Sequence, residues 1–553
     1  MFRLLSLVCI TAIGAPAVTL GVPSDLAQQG ILALPSPVAN DQLGRSIALS
    51  SNGSTIAAGA PGFDFTVSNR GGVGLFSRSG SSWAFDQTVV SNGTPLAGDD
   101  MGRCVAVSGN GLVMATGIPN DDIGANADQG SVYVADVLSG VSGVGAAALW
   151  AGATLLTDTA PNAVANAQFG CPIALSYDGA TLAVGAPGSA SNQGHVSVFT
   201  RSGFTYTRQA VLTRPGGAAN EEFPSDVALA ANGSTLLTGT GRVGSFSGSA
   251  TAFVRTGVNW AAQWTLNGGA SENLGQAVAL SSNGGVGLVF RSAQAVIVDH
   301  SGSSWTARPA AISTPVPEGN FVFQGFIEDL AISGDGRVAA VATPNSRPSS
   351  PIQVGRVHTY DISGATPMAL QHLTPTEYAA NDRWGDGGVA LSDDGSTLAV
   401  GTPSADAGAV LGTGKVAVFA SPTASPAPGG SGSSGGSSSG GSAAGGGGSP
   451  GGSASTAAPA RPAVKWTYTR STRRLVGTIT PVTGVTYAMT ATKGKTVKRG
   501  ACKPGVASSG SGKKRKKKRI VTCSIKVGTG AWAVAITPSA GGRAGTPARK
   551  TVR

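Results

Sequence analysis

The stretch Phe169-Gly-Cys-Pro-Ile-Ala-Leu-Ser-Tyr-Asp-Gly-Ala-Thr-Leu-Ala-Val-Gly-Ala-Pro187 decides the fold. One short apolar run, Ile173 to Ser176, meets Asp178-Gly179 and is followed by a second, Thr181 to Pro187. Asn-Gly or Asp-Gly between two apolar runs is the strongest short-range hairpin signal. Its expected form is a type I′ turn, which needs positive φ at both central residues. The pattern recurs at Asn52-Gly53, Asn110-Gly111, Asp178-Gly179, Asn232-Gly233, Asn283-Gly284, Asp335-Gly336 and Asp394-Gly395, with successive turns 58, 68, 54, 51, 52 and 59 residues apart. A period of this kind outranks any local motif.

Each hairpin is followed by a third run, as in Gly72 to Phe76, Gly130 to Val134, Gly194 to Phe199 and Gly414 to Phe419. A fourth starts near an aromatic in most copies: Trp83 to Val90, Tyr206 to Leu212, Trp260 to Leu266 and Trp305 to Ile312. Four strands per repeat at this period predict an all-β, seven-bladed propeller. The last copy lacks a fourth run after Phe419. Near the N-terminus, however, Gly30 to Pro35 leads into Asn40-Asp41 just as Leu370 to Thr374 leads into Asn381-Asp382. The N-terminal run is therefore expected to complete blade seven, which would otherwise leave sheet edges unpaired at the junction.

Over roughly residues 28–420 the chain resembles the FG-GAP repeat family of integrin α-like propellers. Phe169-Gly170 is the strict Phe-Gly, with Leu43-Gly44, Met101-Gly102, Leu274-Gly275 and Trp384-Gly385 as variants. Gly-Ala-Pro is intact at Gly59-Ala60-Pro61 and Gly185-Ala186-Pro187, and altered at Gly117-Ile118-Pro119, Ala342-Thr343-Pro344 and Gly401-Thr402-Pro403. Calcium-binding members carry an acidic cage between the first two strands. Here that loop has shrunk to turns such as Ser51-Asn52-Gly53-Ser54, so the resemblance implies no structural calcium and no cofactor. Asp121, Asp122 and Asp128, in the loop after Pro119, are the nearest substitute, and a solvated acidic loop is the simpler reading.

Met1-Phe-Arg3, the apolar Leu4 to Ile13 and the small residues Gly14 to Ala17 have the three regions of a secretory signal peptide, assigned to 1–21, with an uncleaved anchor as the alternative. Cys9 would leave with it. Cys104 and Cys171 open the first strands of neighbouring blades, one position out of register, and either bridge or stay as buried thiols. Cys502 and Cys523 flank a basic loop and are expected to bridge. Asn52, Asn92 and Asn232 each head an Asn-x-Ser/Thr sequon, compatible with glycosylation on exposed turns. Asn52 and Asn232 are also needed for the turn itself.

Residues 421–460 collapse to Ser, Gly, Ala, Pro and Thr, a flexible tether unable to bury a core. Residues 461–553 contain 22 Lys or Arg and no Asp or Glu, leaving 17 basic and 28 acidic residues elsewhere. The overall charge of +11 thus hides two oppositely charged parts. Alternating runs at Trp466 to Thr469, Val485 to Met489, Ile520 to Ile525 and Trp532 to Ile536 suggest a small β-sandwich-like basic module. Its charge peaks at Lys513, Lys514, Arg515, Lys516, Lys517, Lys518 and Arg519, a run expected in a solvated loop or against an anion. The signal segment argues against nucleic acid. It favours an acidic polysaccharide, an anionic surface or the acidic propeller as partner.

No convergent nucleophile, acid or metal set stands out. His195, His300, His358 and His372 show no metal-ligand spacing, and strand or loop histidines without a role are the simpler account. Asp99-Asp100, Glu221-Glu222, Glu328-Asp329 and Asp393-Asp394 sit before or within the turns and read as turn chemistry. The expected function is a secreted or cell-surface binding protein, not an enzyme. Recognition would lie in the loops after the second strands: Gly62 to Arg70, Pro119 to Gln129, Ser189 to Gln193 and Ser404 to Thr413. A glycan-active enzyme and a passive matrix component are the alternatives.

Overall fold

The computed structural model describes residues 23 and 25–422 apart from 65–66, 92–96, 138–149, 244–245, 314–328, 347–353, 378 and 380. Beyond residue 463 it describes only the backbone of strands. The signal segment with Cys9, the sequon at Asn92, the linker beyond residue 422 and Lys513 to Arg515 lie outside the described residues.

Seven antiparallel sheets follow one another along the chain. Their first strands are Ile47–Leu49, Val105–Val107, Ile173–Leu175, Asp226–Leu229, Val278–Leu280, Asp329–Ile332 and Val389–Leu391. Each lies beside the first strand of the next sheet, and the last lies beside the first, so the ring is closed around an axis. This is the expected seven-bladed propeller. Ala27–Leu32 pairs antiparallel with Lys415–Ala420, setting Leu32 opposite Val416 and Ala27 opposite Ala420, and so supplies the outer strand of blade seven. The fourth strand of blade five is broken into Ser304–Ala307 and Ile312–Ser313.

The hairpin turns correct one expectation. Positive φ occurs at the glycine, as at Gly53 (65°) and Gly179 (69°), and not at the preceding Asn or Asp, so these are not type I′ turns. The side chains explain why. Ser176 Oγ donates to Asp178 Oδ1 (2.8 Å) and accepts the Thr181 N–H (2.9 Å), while Asp178 Oδ1 also accepts the Ala180 N–H (2.9 Å). The acidic or amide group is used as an acceptor inside a wider turn, which a short polar side chain does well. The same serine bonds recur at Ser50, Ser108, Ser281, Ser333 and Ser392; blade four has Ala230 instead.

Blade packing follows from geometry near the axis, where neighbouring sheets converge. The central residue of every first strand is alanine: Ala48, Ala106, Ala174, Ala228, Ala279, Ala331 and Ala390. The β-branched and leucine residues on either side of it face the preceding blade, as Ile173 and Leu175 do against Ala115, Val132 and Val134. The Phe-Gly position fills the same interfaces, with Leu43, Met101, Phe169, Phe223 and Trp384 wholly buried. The glycines of the Gly-Ala-Pro position let backbones touch: a Cβ on Gly59 would lie 1.8 Å from the Gly102 carbonyl of the next blade, and one on Gly117 would lie 1.9 Å from that of Gly170.

In the C-terminal unit, strands cover all four alternating runs and join in one eight-stranded order. Cys502 lies opposite Cys523 in that register. Lys516 to Arg519 fall within the strand Lys516–Lys526, opposite Val506 to Ser509.

Candidate functional site

Alternating strand direction puts the Asn/Asp-Gly hairpins on one face of the ring. The loops after the second strands, and the segments entering each first strand, lie on the other. On that loop face the chain doubles back just before the Phe-Gly position. Gln42, Asp100, Gln168, Glu222, Asn273 and Arg383 all take left-handed φ there, between 48° and 59°. The paired acids divide their work at this bend. The first carboxylate is buried; at the corresponding position Asp41 accepts the Val38 N–H (2.6 Å) and Asp382 the Ala379 N–H (2.6 Å). The second, Asp100 or Glu222, is paired with an arginine, Arg103 (3.5 Å) or Arg242 (2.7 Å). In blade four the first carboxylate, Glu221, is itself held by Arg214 (2.7 Å), so turn chemistry does not account for that pair.

Glu222 and the two arginines, Arg103 and Arg242, border a cleft of about 280 Å³ across blades two to five. Its polar lining is Arg103, Asn120, Gln168, Glu222, Arg242 and Gln276, and Pro119, Pro172, Pro187 and Pro224 stiffen it. The four lining positions Arg103, Cys171, Ser225 and Gln276 are the same repeat position in four consecutive blades. Asn120 Nδ2 holds Asp100 Oδ2 at 3.1 Å, and burial raises the Asp100 carboxyl despite the opposing Arg103 charge. Cys171, which lines the cleft, is disulfide-bonded to Cys104, tying blade three to blade two. The volume lies at the lower end for small-molecule sites and suits one sugar-sized unit or one side chain.

Two first strands, those of blades four and six, begin with carboxylates. Asp226 follows the cleft residue Ser225 and accepts the N–H groups of Val227 and of Val278 in blade five (both 2.8 Å). Asp329 accepts the N–H of Val389 in blade seven (2.8 Å). Both keep part of their surface accessible. Burial, and then the Asp329 charge, push Asp226 up to about 7; burial pushes Asp329 up to about 6. Between blades two and three, the fully buried Asp158 binds His195 Nε2 (2.7 Å) and Arg208 Nη1 (2.5 Å), which hold its carboxyl below the usual range against its burial.

Asp121, Asp122 and Asp128 organise their own loop. Asp121 accepts the Ser131 hydroxyl and Asp122 accepts the Asp128 N–H (2.9 Å). Among the described residues no three potential metal ligands converge. Asn52 and Asn232 both use Oδ1 within the turn, accepting the N–H of Ser54 (3.1 Å) and Ser234 (2.9 Å). The histidines are all engaged: His300 stacks on Trp305 (4.2 Å), and His358 meets His372 on the adjacent strand with Nδ1 atoms 2.7 Å apart.

No family model matches the chain, and no curated protein matches it. Among solved structures, the Pseudomonas aeruginosa periplasmic gluconolactonase PpgL is 16% identical with a TM-score of 0.40, covering 60% of this chain and 87% of that one. The RRP9 WD40 repeats are 11% identical with a TM-score of 0.41, covering 72% and 99%. The GH74 xyloglucanase from Xanthomonas campestris is 13% identical with a TM-score of 0.33, covering 61% and 52%. Similarity this low names no activity for this chain.

Proposed function

We propose that the chain is a secreted or cell-surface recognition protein, an FG-GAP-type propeller. It takes a glycan or protein ligand on its loop face and attaches to an acidic polysaccharide or anionic surface through its basic C-terminal module. The observation that carries the reading is the cleft, where one repeat position from each of four blades has been turned into a polar rim over a disulfide-tied wall. Guanidinium, carboxylate and amide groups fixed side by side are the planar partners that vicinal hydroxyls or a peptide backbone pair with. Probing glycan and protein arrays with the full chain tests this. A selective hit that fades in R103A/R242A supports recognition at the cleft, and uniform low signal contradicts it. Retention on an anionic polysaccharide resin should fall steeply with salt. Unchanged retention after neutralising Lys513 to Arg519 would remove the attachment role.

A second reading, a glycan-active enzyme, draws on Asp226 and Asp329, since carboxyls with raised pKa values, here one of them adjacent in sequence to the cleft residue Ser225, are what acid–base chemistry uses. Incubation with a panel of anionic polysaccharides, followed by assay for new reducing or unsaturated ends, separates the two readings. Turnover lost in D226N would replace binding with catalysis.

A further inference from the structure

We propose that His358 and His372 form a two-imidazole site for a late first-row transition ion, Cu(II) or Ni(II), on the outer side of blade six. The two residues are direct cross-strand partners, and their rings stand at 73° with centroids 4.8 Å apart. The hydrogen bonds around Thr343 accommodate the His358 tautomer that a metal site needs. Thr343 Oγ1 donates its one proton to the Arg356 carbonyl (3.2 Å) and accepts the Ser346 hydroxyl (2.7 Å). In that arrangement its 3.0 Å contact with His358 Nε2 is an N–H donated by the ring, which leaves a lone pair on His358 Nδ1. That lone pair faces His372 Nδ1 at 2.7 Å. A ligating histidine whose other N–H is given to a fixed oxygen is the usual second-sphere arrangement of metal sites.

With His358 Nδ1 as acceptor, the 2.7 Å contact is a hydrogen bond donated by the Nδ1–H of a neutral His372, and a bound metal ion would displace that proton to solvent. With metal–nitrogen bonds of about 2.0–2.1 Å, two nitrogens 2.7 Å apart subtend about 80–85° at the ion. That is near the right angle of tetragonal Cu(II) or Ni(II) and far from tetrahedral Zn(II). His358 is buried and His372 is exposed, so water can complete the coordination on the His372 side. Arg356, two residues earlier on the same strand, opposes the ion and limits its affinity.

The fold does not require imidazoles here. The corresponding partners are Thr251 and Thr265 in blade four, with hydroxyls 3.3 Å apart, and Gly74 and Thr88 in blade one. The test is a Cu(II) titration of the full chain in a weakly coordinating buffer, followed by visible absorption and by EPR for coupling to two nitrogens. Wild type and H300Q are expected to bind one ion with the two-nitrogen signature. H372Q should bind at least tenfold more weakly and lose the signature, as should H358T/H372T, which copies blade four and guards against misfolding. An H372Q protein that keeps wild-type affinity and spectrum, or a wild type with no two-nitrogen copper signal, overturns the proposal.

Discussion

Leu32→Ala tests the N-terminal closure of the ring. The strand Ala27–Leu32 touches two interfaces at once: Leu26 and Ile31 pack into the blade six–seven cluster, and Leu32 and Leu34 into the blade seven–one cluster. Leu32 is 7% exposed and sits opposite Val416, so truncation removes buried methyl groups from a wall that the ladder holds in place. Such a change costs about 3 kcal/mol, within the roughly 2–5 kcal/mol range for buried leucine truncations. At about 2 °C per kcal/mol for large domains, the expected fall in Tm is roughly 5 °C. The control is Val211→Ala on the outer strand of blade three, where Val211 is 39% exposed and little should change. Differential scanning calorimetry of both variants, with limited proteolysis to locate the opening, reads the effect. Equal shifts in the two variants, or an unchanged Tm in L32A, would refute a seam closed by this strand.

Asp158→Ala leaves His195 and Arg208 facing a buried gap, so the domain should lose about 3 kcal/mol in denaturant unfolding, as for a broken buried pair. Joining residues 67 apart, the Cys104–Cys171 disulfide should contribute about 4 kcal/mol by loop entropy, and C104S/C171S should lose that amount in the same assay. Asp226 has a folded pKa raised from 3.8 to about 7, so the native state binds more protons than the unfolded chain in that interval. Stability should therefore decline as pH rises from about 4 to about 7, and D226N should flatten that decline in Tm against pH.

Much of the architecture was readable because one spacing repeats. The likeness of Gly30 to Pro35 and Leu370 to Thr374, each leading into Asn-Asp, located the closing strand before any contact was known. The turn type was misread because the role of Asp178 depends on Ser176 two residues earlier, and a dipeptide signal does not include that serine. The cleft was invisible for another reason: its residues lie in four blades, from Arg103 to Gln276, and only ring closure brings them together. The paired acids hid their second role because their arginine partners, Arg103 for Asp100, Arg214 for Glu221 and Arg242 for Glu222, are not part of the acidic dipeptide. His358 and His372 are 14 residues apart, the separation of the blade-four partners Thr251 and Thr265, so aligning blades by strand partner would have paired them.

The most direct test of the central claim is the affinity of the full chain for its strongest array ligand, measured for wild type, R103A/R242A and V258A. Arg103 and Arg242 are about half exposed, with side-chain accessibilities of 49% and 55%, so their loss should leave Tm nearly unchanged. Val258 is 67% exposed on the opposite, hairpin face. Recognition at the cleft predicts at least a tenfold loss in R103A/R242A and none in V258A; the reverse pattern, or equal affinities in all three proteins, would contradict it.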